Sequence, residues 1–106
     1  MAASRIEVFE QMLESDPDNT LVLFGLAKEY EKVGRPAETV AALTKYLKLF
    51  NDEGNAYGML AQAHEKLGNR EAARDAYRRG IEVATAHGHP SMAEDYRMTL
   101  ENEYED

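Results

Sequence analysis

The stretch LAKEYEKVGRPAETVAAL, beginning at Leu26, returns thirty-four residues later as LAQAHEKLGNREAARDAY, beginning at Leu60. With residues 20–49 laid over 54–83, Leu26, Ala27, Glu31, Lys32, Gly34 and Ala42 recur as Leu60, Ala61, Glu65, Lys66, Gly68 and Ala76. Apolar positions keep the same phase, Leu23 with Tyr57, Leu43 with Tyr77 and Leu47 with Ile81. A period of this length is too short for a domain and too long for one ordinary helix. It constrains the chain to a stack of like units, each burying its apolar face only against its neighbours.

Within a copy, apolar residues fall three and four apart, the helical period. Leu23, Leu26, Ala27 and Tyr30 form one stripe, and Val40, Leu43 and Leu47 form the next. Gly34 and Gly68 follow helical stretches, where a left-handed residue ends a helix at no steric cost to glycine. Pro36 suits the first turn of a new helix. Asn69 is placed to cap the next one, with Glu71 in its first turn. Each copy therefore reads as helix, tight turn, helix.

The flanks continue the phase. Stepping back one period from Val40, Leu43 and Leu47 reaches Ile6, Phe9 and Leu13, so the chain opens on the second helix of a repeat. Ser4 and Glu7 have capping-box spacing there, as do Ser91 and Glu94 near the start of a terminal helix with a Met92, Ala93, Tyr96 and Leu100 stripe. The pattern predicts an all-α fold of six helices at about 4–15, 20–33, 36–49, 54–67, 70–87 and 90–102.

These residues resemble the tetratricopeptide repeat. Leu23, Leu26, Ala27, Tyr30, Gly34 and Leu43 fit its pattern in the first copy, and Tyr57, Leu60, Ala61, Gly68, Ala73, Tyr77 and Ile81 fit it in the second. Departures are His64 in place of the aromatic, Thr39 where Ala73 stands, Tyr46 at the small site that Gly80 fills, and Asn51 in place of the inter-repeat proline. The layout is similar to short single-domain bacterial members. The resemblance implies a right-handed α-solenoid of stacked antiparallel hairpins within one domain: a half repeat at 4–19, repeats at 20–53 and 54–87, and a capping helix with an acidic tail at 88–106. It also implies a non-catalytic scaffold whose first helices line a concave groove for a peptide or partner helix.

Composition narrows the function further. The net charge of −8 disfavours binding to phosphate backbones. It reads as a solubility feature, with a basic partner as the sharper alternative. No apolar run reaches membrane-span or signal-peptide length, and no cysteine is present, so a cytoplasmic protein without disulfides is expected. Nucleophilic catalysis lacks its parts, and no glycine-rich phosphate loop occurs. The face bearing Glu71, Arg74, Asp75, Arg78 and Arg79 reads as solvated i,i+4 pairs. His87-Gly88-His89 has metal-like spacing but needs further ligands such as Glu94, so no metal or cofactor is expected. His64 reads as packing.

Phasing with the family puts Leu21, Phe24, Lys28 and Glu31 of the second helix on the concave side, with Asn55, Met59 and Gln62 of the fourth beside Gly58 and Glu65. The subclass that clamps a partner's terminal carboxylate needs Lys, Asn and Arg where this chain has Phe24, Met59 and Ala93, so that activity is not expected. What remains is an apolar patch of Leu21, Phe24 and Met59, floored by Gly25 and Gly58. Glycine inside a helix costs ~1 kcal/mol against alanine. Either a ligand approaches closely there or neighbouring helices pack tightly, the second being favoured. The leading expectation is a protein or peptide partner in this groove. The rival is a structural subunit whose exposed solenoid end makes a homodimer.

Overall fold

A computed structural model describes residues 4–104. All six expected helices form, and no strand occurs among the described residues. They fall into two compact units, Met1–Asn51 and Asp52–Asp106. The first holds α1 (Arg5–Ser15), α2 (Thr20–Lys32) and α3 (Pro36–Leu49); the second holds α4 (Asn55–Lys66), α5 (Arg70–Ala86) and α6 (Pro90–Glu103). Glu105 and Asp106 of the expected acidic tail lie outside the described residues.

One helix stop is used three times. Gly34, Gly68 and Gly88 have φ of 71°, 77° and 77°. After α2, Arg35 N donates to the Tyr30 carbonyl at 2.9 Å and Gly34 N to that of Glu31 at 3.2 Å, the paired bonds of a Schellman motif. The same pairs recur as Asn69 to His64 and Gly68 to Glu65, and as His89 to Ala84 and Gly88 to Thr85. In each case the residue after glycine also accepts the first bond of the next helix, from Thr39, Ala73 and Ala93. A helix therefore ends and its successor begins within three residues.

This economy corrects one expected cap and qualifies another. His89 is the N-cap of α6 with Pro90 at its first position, so Ser91 lies inside the helix and Ser91/Glu94 form no capping box. Asn69 holds the cap position of α5, but its side chain makes no capping bond. Ser4 does cap α1, its hydroxyl accepting from Glu7 N at 3.1 Å. Asn19 caps α2 through Val22 N at 3.1 Å. Gly54 holds the cap position of α4, and Asp52 two residues before it accepts at Oδ2 from Gly54 N and Ala56 N at 2.8 and 2.9 Å.

In the first unit, Val22, Leu23, Leu26, Ala27 and Tyr30 of α2 are buried with Thr39, Ala42, Leu43 and Tyr46 of α3. Thr39 takes a small site because its hydroxyl donates to the Arg35 carbonyl at 2.9 Å, leaving only the methyl to pack. Tyr30 donates to Glu10 at 2.6 Å, tying α2 to α1.

The second unit's core is rich in alanine, and tyrosines fill it. Ala61, Ala73 and Ala76 pack with Tyr77 and Tyr104, flanked by Leu60, Tyr96 and Leu100. The Tyr96 ring enters between two helices at glycines. A Cβ at Gly58 would lie 2.5 Å from its hydroxyl oxygen, and one at Gly80 would lie 2.7 Å from its Cε2. Its hydroxyl donates to the Gly54 carbonyl at 2.9 Å. Tyr104 closes the other end: its hydroxyl donates to Glu65 Oε2 at 2.6 Å, and the Arg70 guanidinium lies 4.4 Å from its ring centre.

Candidate functional site

The exposed face of α2 carries four of the residues singled out in the sequence. Leu21 is 86% exposed, the most exposed large apolar side chain among the described residues. One turn on, Phe24 is half-buried, its ring 5.0 Å from that of Tyr46, which in turn stacks on Phe50 at 5.3 Å. Lys28 Nζ lies 5.7 Å from the centre of the Phe24 ring. This is within the range of a cation–π contact, so Phe24 both supports the core and positions a charge.

Leu21, Phe24 and Lys28 line a trough of about 440 Å³ together with Arg5, Gly25, Glu29 and Lys32. Gly25 is where α1 approaches: a Cβ there would meet Phe9 Cε2 at 3.3 Å. Phe9 therefore packs from α1 against the inner side of Gly25, the helix contact favoured from the sequence. Glu29 is bridged by Arg5 at 3.9 Å and by Lys32 at 3.7 Å. Glu31 is half-buried and does not line the trough; its carbonyl takes the turn bond from Gly34.

In the second unit, Asn55 is exposed as the first residue of α4 and Met59 is half-buried. Gln62 is exposed and lines an open cleft of about 510 Å³ with Glu65, Lys66, Tyr77, Thr99 and Glu103. Gly58 is not the floor of a patch. The Tyr96 ring covers it, so its missing side chain serves helix packing. The Glu65 carboxylate is engaged by the Tyr104 hydroxyl at 2.6 Å and the Tyr77 hydroxyl at 3.3 Å.

Sequence reasoning missed Arg5, Glu29 and Lys32 as trough residues. The spacing of Lys28 and Lys32 was a legible signal, since residues four apart share a helix face. Arg5 gave none, because it reaches the trough only through the packing of α1 on α2.

His89 Nε2 meets Glu53 Oε1 at 2.6 Å, and this contact holds the Glu53 carboxyl below its ordinary range. Glu94 meets Arg97 at 2.6 Å. No group of three or more metal-binding side chains converges among the described residues. His64 Nδ1 is buried without a partner there, and burial pushes its pKa down, favouring the neutral ring in the packed aromatic slot. No helix among the described residues is long and apolar enough to cross a membrane.

Paired helices joined by glycine stops, repeated at a fixed interval, define a helical-hairpin repeat protein. The tetratricopeptide-repeat profile matches residues 54–87. The TPR repeat-containing protein PA0015 of Pseudomonas aeruginosa is 30% identical over 83 residues, covering 78% of this chain and 79% of that protein. The crystal structure of MamA superposes with a TM-score of 0.71 at 25% identity, over 92% of this chain and 66% of that one. The chain belongs to the tetratricopeptide-repeat family, and it has that family's all-α helical-hairpin fold. Proteins of this family are in general interaction modules rather than catalysts.

Proposed function

We propose that this protein is a non-catalytic cytoplasmic scaffold that binds a peptide or a partner helix through the exposed face of α2. Leu21 and Phe24 supply the apolar contact and Lys28 the polar one, with Glu31 at the end of the same face. One period later, Asn55 and Gln62 of α4 stand where Leu21 and Lys28 stand and Met59 where Gly25 does, and these three take the same role in the second unit. The observation that carries the reading is Leu21, 86% exposed beside a half-buried aromatic and a trough. An apolar side chain held in water gains by burial in a partner, ~25 cal/mol per Å² of apolar surface. The test is affinity capture from the native cell with the wild-type chain and with Leu21→Ser. A partner retained equally by both proteins removes α2 from the interface.

A second reading rests on α1, which has no fully buried residue. Val8 and Met12 lie one turn apart on it, 41% and 45% exposed. They would serve a structural subunit that self-associates at this end. Light scattering at micromolar concentration separates the two readings: a dimer that Val8→Ser and Met12→Ser dissociate supports the second.

A further inference from the structure

The charges around the α2 trough point to the chemistry of its occupant. We propose that the trough takes an acidic amphipathic peptide: a side-chain carboxylate set against Lys28, with a leucine or aromatic side chain one turn away resting on Leu21 and Phe24. This rests on the α2 face being the binding face.

The chain as a whole carries −8, yet the trough is lined by three cations, Arg5, Lys28 and Lys32, against one carboxylate, Glu29. Arg5 and Lys32 already share Glu29. Lys28 differs: it makes no ion pair among the described residues, and its ammonium stays over the Phe24 ring at 5.7 Å. The ring steadies the lysine without neutralising it. A ligand carboxylate reaching Lys28 gains a charge-assisted hydrogen bond. Its neighbouring apolar side chain then falls on Leu21 and Phe24, which line the same trough. A basic ligand would meet three like charges at the same place.

The chain's distant carboxylates oppose an acidic ligand. At physiological salt, however, the screening length is ~8 Å. The local cations therefore outweigh them at contact distance.

The test uses the full chain and three labelled fourteen-residue amphipathic peptides sharing one leucine-phenylalanine stripe. Their flanking positions are all glutamate, all glutamine or all lysine. Fluorescence anisotropy in ~0.15 M salt reads affinity, and amide shifts read location. The glutamate peptide should bind about tenfold more tightly than the glutamine peptide, the ratio that one added charge-assisted contact gives. It should also shift the amides of Leu21 to Lys28. Lys28→Gln should remove most of that preference and leave the glutamine peptide unaffected; Leu21→Ser should weaken both peptides. Both side chains are exposed, so unchanged melting temperatures are the control.

Equal binding of the glutamate and glutamine peptides with Leu21 dependence overturns the acidic preference and leaves the α2 reading standing, as does tighter binding of the lysine peptide. Binding that ignores both variants overturns the proposal and the α2 reading together. Failure of all three peptides at millimolar concentration overturns the proposal. So does a chain that dimerises through Leu21, since a second copy is then the occupant.

Discussion

The Tyr96 ring fills the space that a side chain at Gly58 would take: a Cβ there would sit 2.5 Å from the hydroxyl oxygen and 2.8 Å from Cε1. Alanine in a helix interior ordinarily gains over glycine, so the sequence suggests that Gly58→Ala is harmless. The geometry reverses that. The ring must move, and its bond to the Gly54 carbonyl moves with it. Gly58→Ala should cost about 1–3 kcal/mol, the range for overpacking a filled core. Gly68 has open space around it and only its positive φ to defend, so Gly68→Ala should cost ~1–2 kcal/mol. Paired urea melts decide the matter. A Gly58→Ala protein as stable as the wild type would mean that Tyr96 does not hold α6 against α4.

Tyr104 should matter to stability out of proportion to its place near the end of the chain. It is 6% exposed, and its carbonyl accepts from Arg74 at 3.2 Å while its hydroxyl bonds Glu65. Tyr104→Phe should cost about 2 kcal/mol through the lost bond to a charged group. Tyr104→Ala should cost about 3–5 kcal/mol through the cavity as well. A double-mutant cycle with Glu65→Gln measures the pair; a coupling energy near zero would show that the hydroxyl bond adds nothing.

What the sequence discloses here is what depends on neighbours along the chain. The six helices, the Gly34 and Gly68 stops and the Pro36 start were legible because periodicity, left-handed backbone and proline sterics act within a turn or two. The Tyr96–Gly58 contact joins residues far apart in sequence, and nothing near Gly58 announces that a tyrosine of α6 will fill the gap. Tyr104 was read as part of an acidic tail because its local surroundings are Glu101, Asn102, Glu103 and Glu105; its anchoring comes from Arg70, Arg74 and Glu65. Ser91/Glu94 failed as a cap because the preceding glycine stop had already fixed the helix start at His89. Family phasing grouped Leu21, Phe24 and Lys28, which line one trough, with Glu31, which does not, whereas Arg5 in the trough depended on how α1 packs.

Alkaline pH should loosen each unit through its tyrosines. Burial, reinforced by the Glu10 carboxylate, pushes the Tyr30 hydroxyl up to about 12. Burial, reinforced by Glu65, does the same for Tyr104. In the unfolded chain tyrosine titrates near ~10. Between these values the native state holds protons that the unfolded state has lost, so stability falls as pH rises. The stabilisation is complete below pH ~10 and lost through about 12. Urea midpoints at a series of pH values should decline across that window, and the decline should shrink in Tyr30→Phe and Tyr104→Phe. Midpoints that stay flat in the wild type would contradict the buried, carboxylate-bonded hydroxyls.

Leu21 and Phe24 should separate binding from folding by different amounts. Leu21 is almost fully in water, so Leu21→Ala should change stability by no more than ~0.5 kcal/mol. Phe24 is half-buried on Tyr46, and Phe24→Ala should cost about 2 kcal/mol of stability, roughly half the value for a fully buried aromatic. If α2 is the contact face, each change should also weaken a captured partner by about 1–3 kcal/mol, as truncation of interface anchors does. The two effects are distinguished by measuring affinity well below the melting temperature, where both variants are folded. Affinity then reports contact alone for both variants, and the stability cost of Phe24→Ala is read separately from its urea melt. Weakened binding in Phe24→Ala with none in Leu21→Ala would place Phe24 in the framework of the first unit. An affinity unchanged in both would move the interface off α2 altogether.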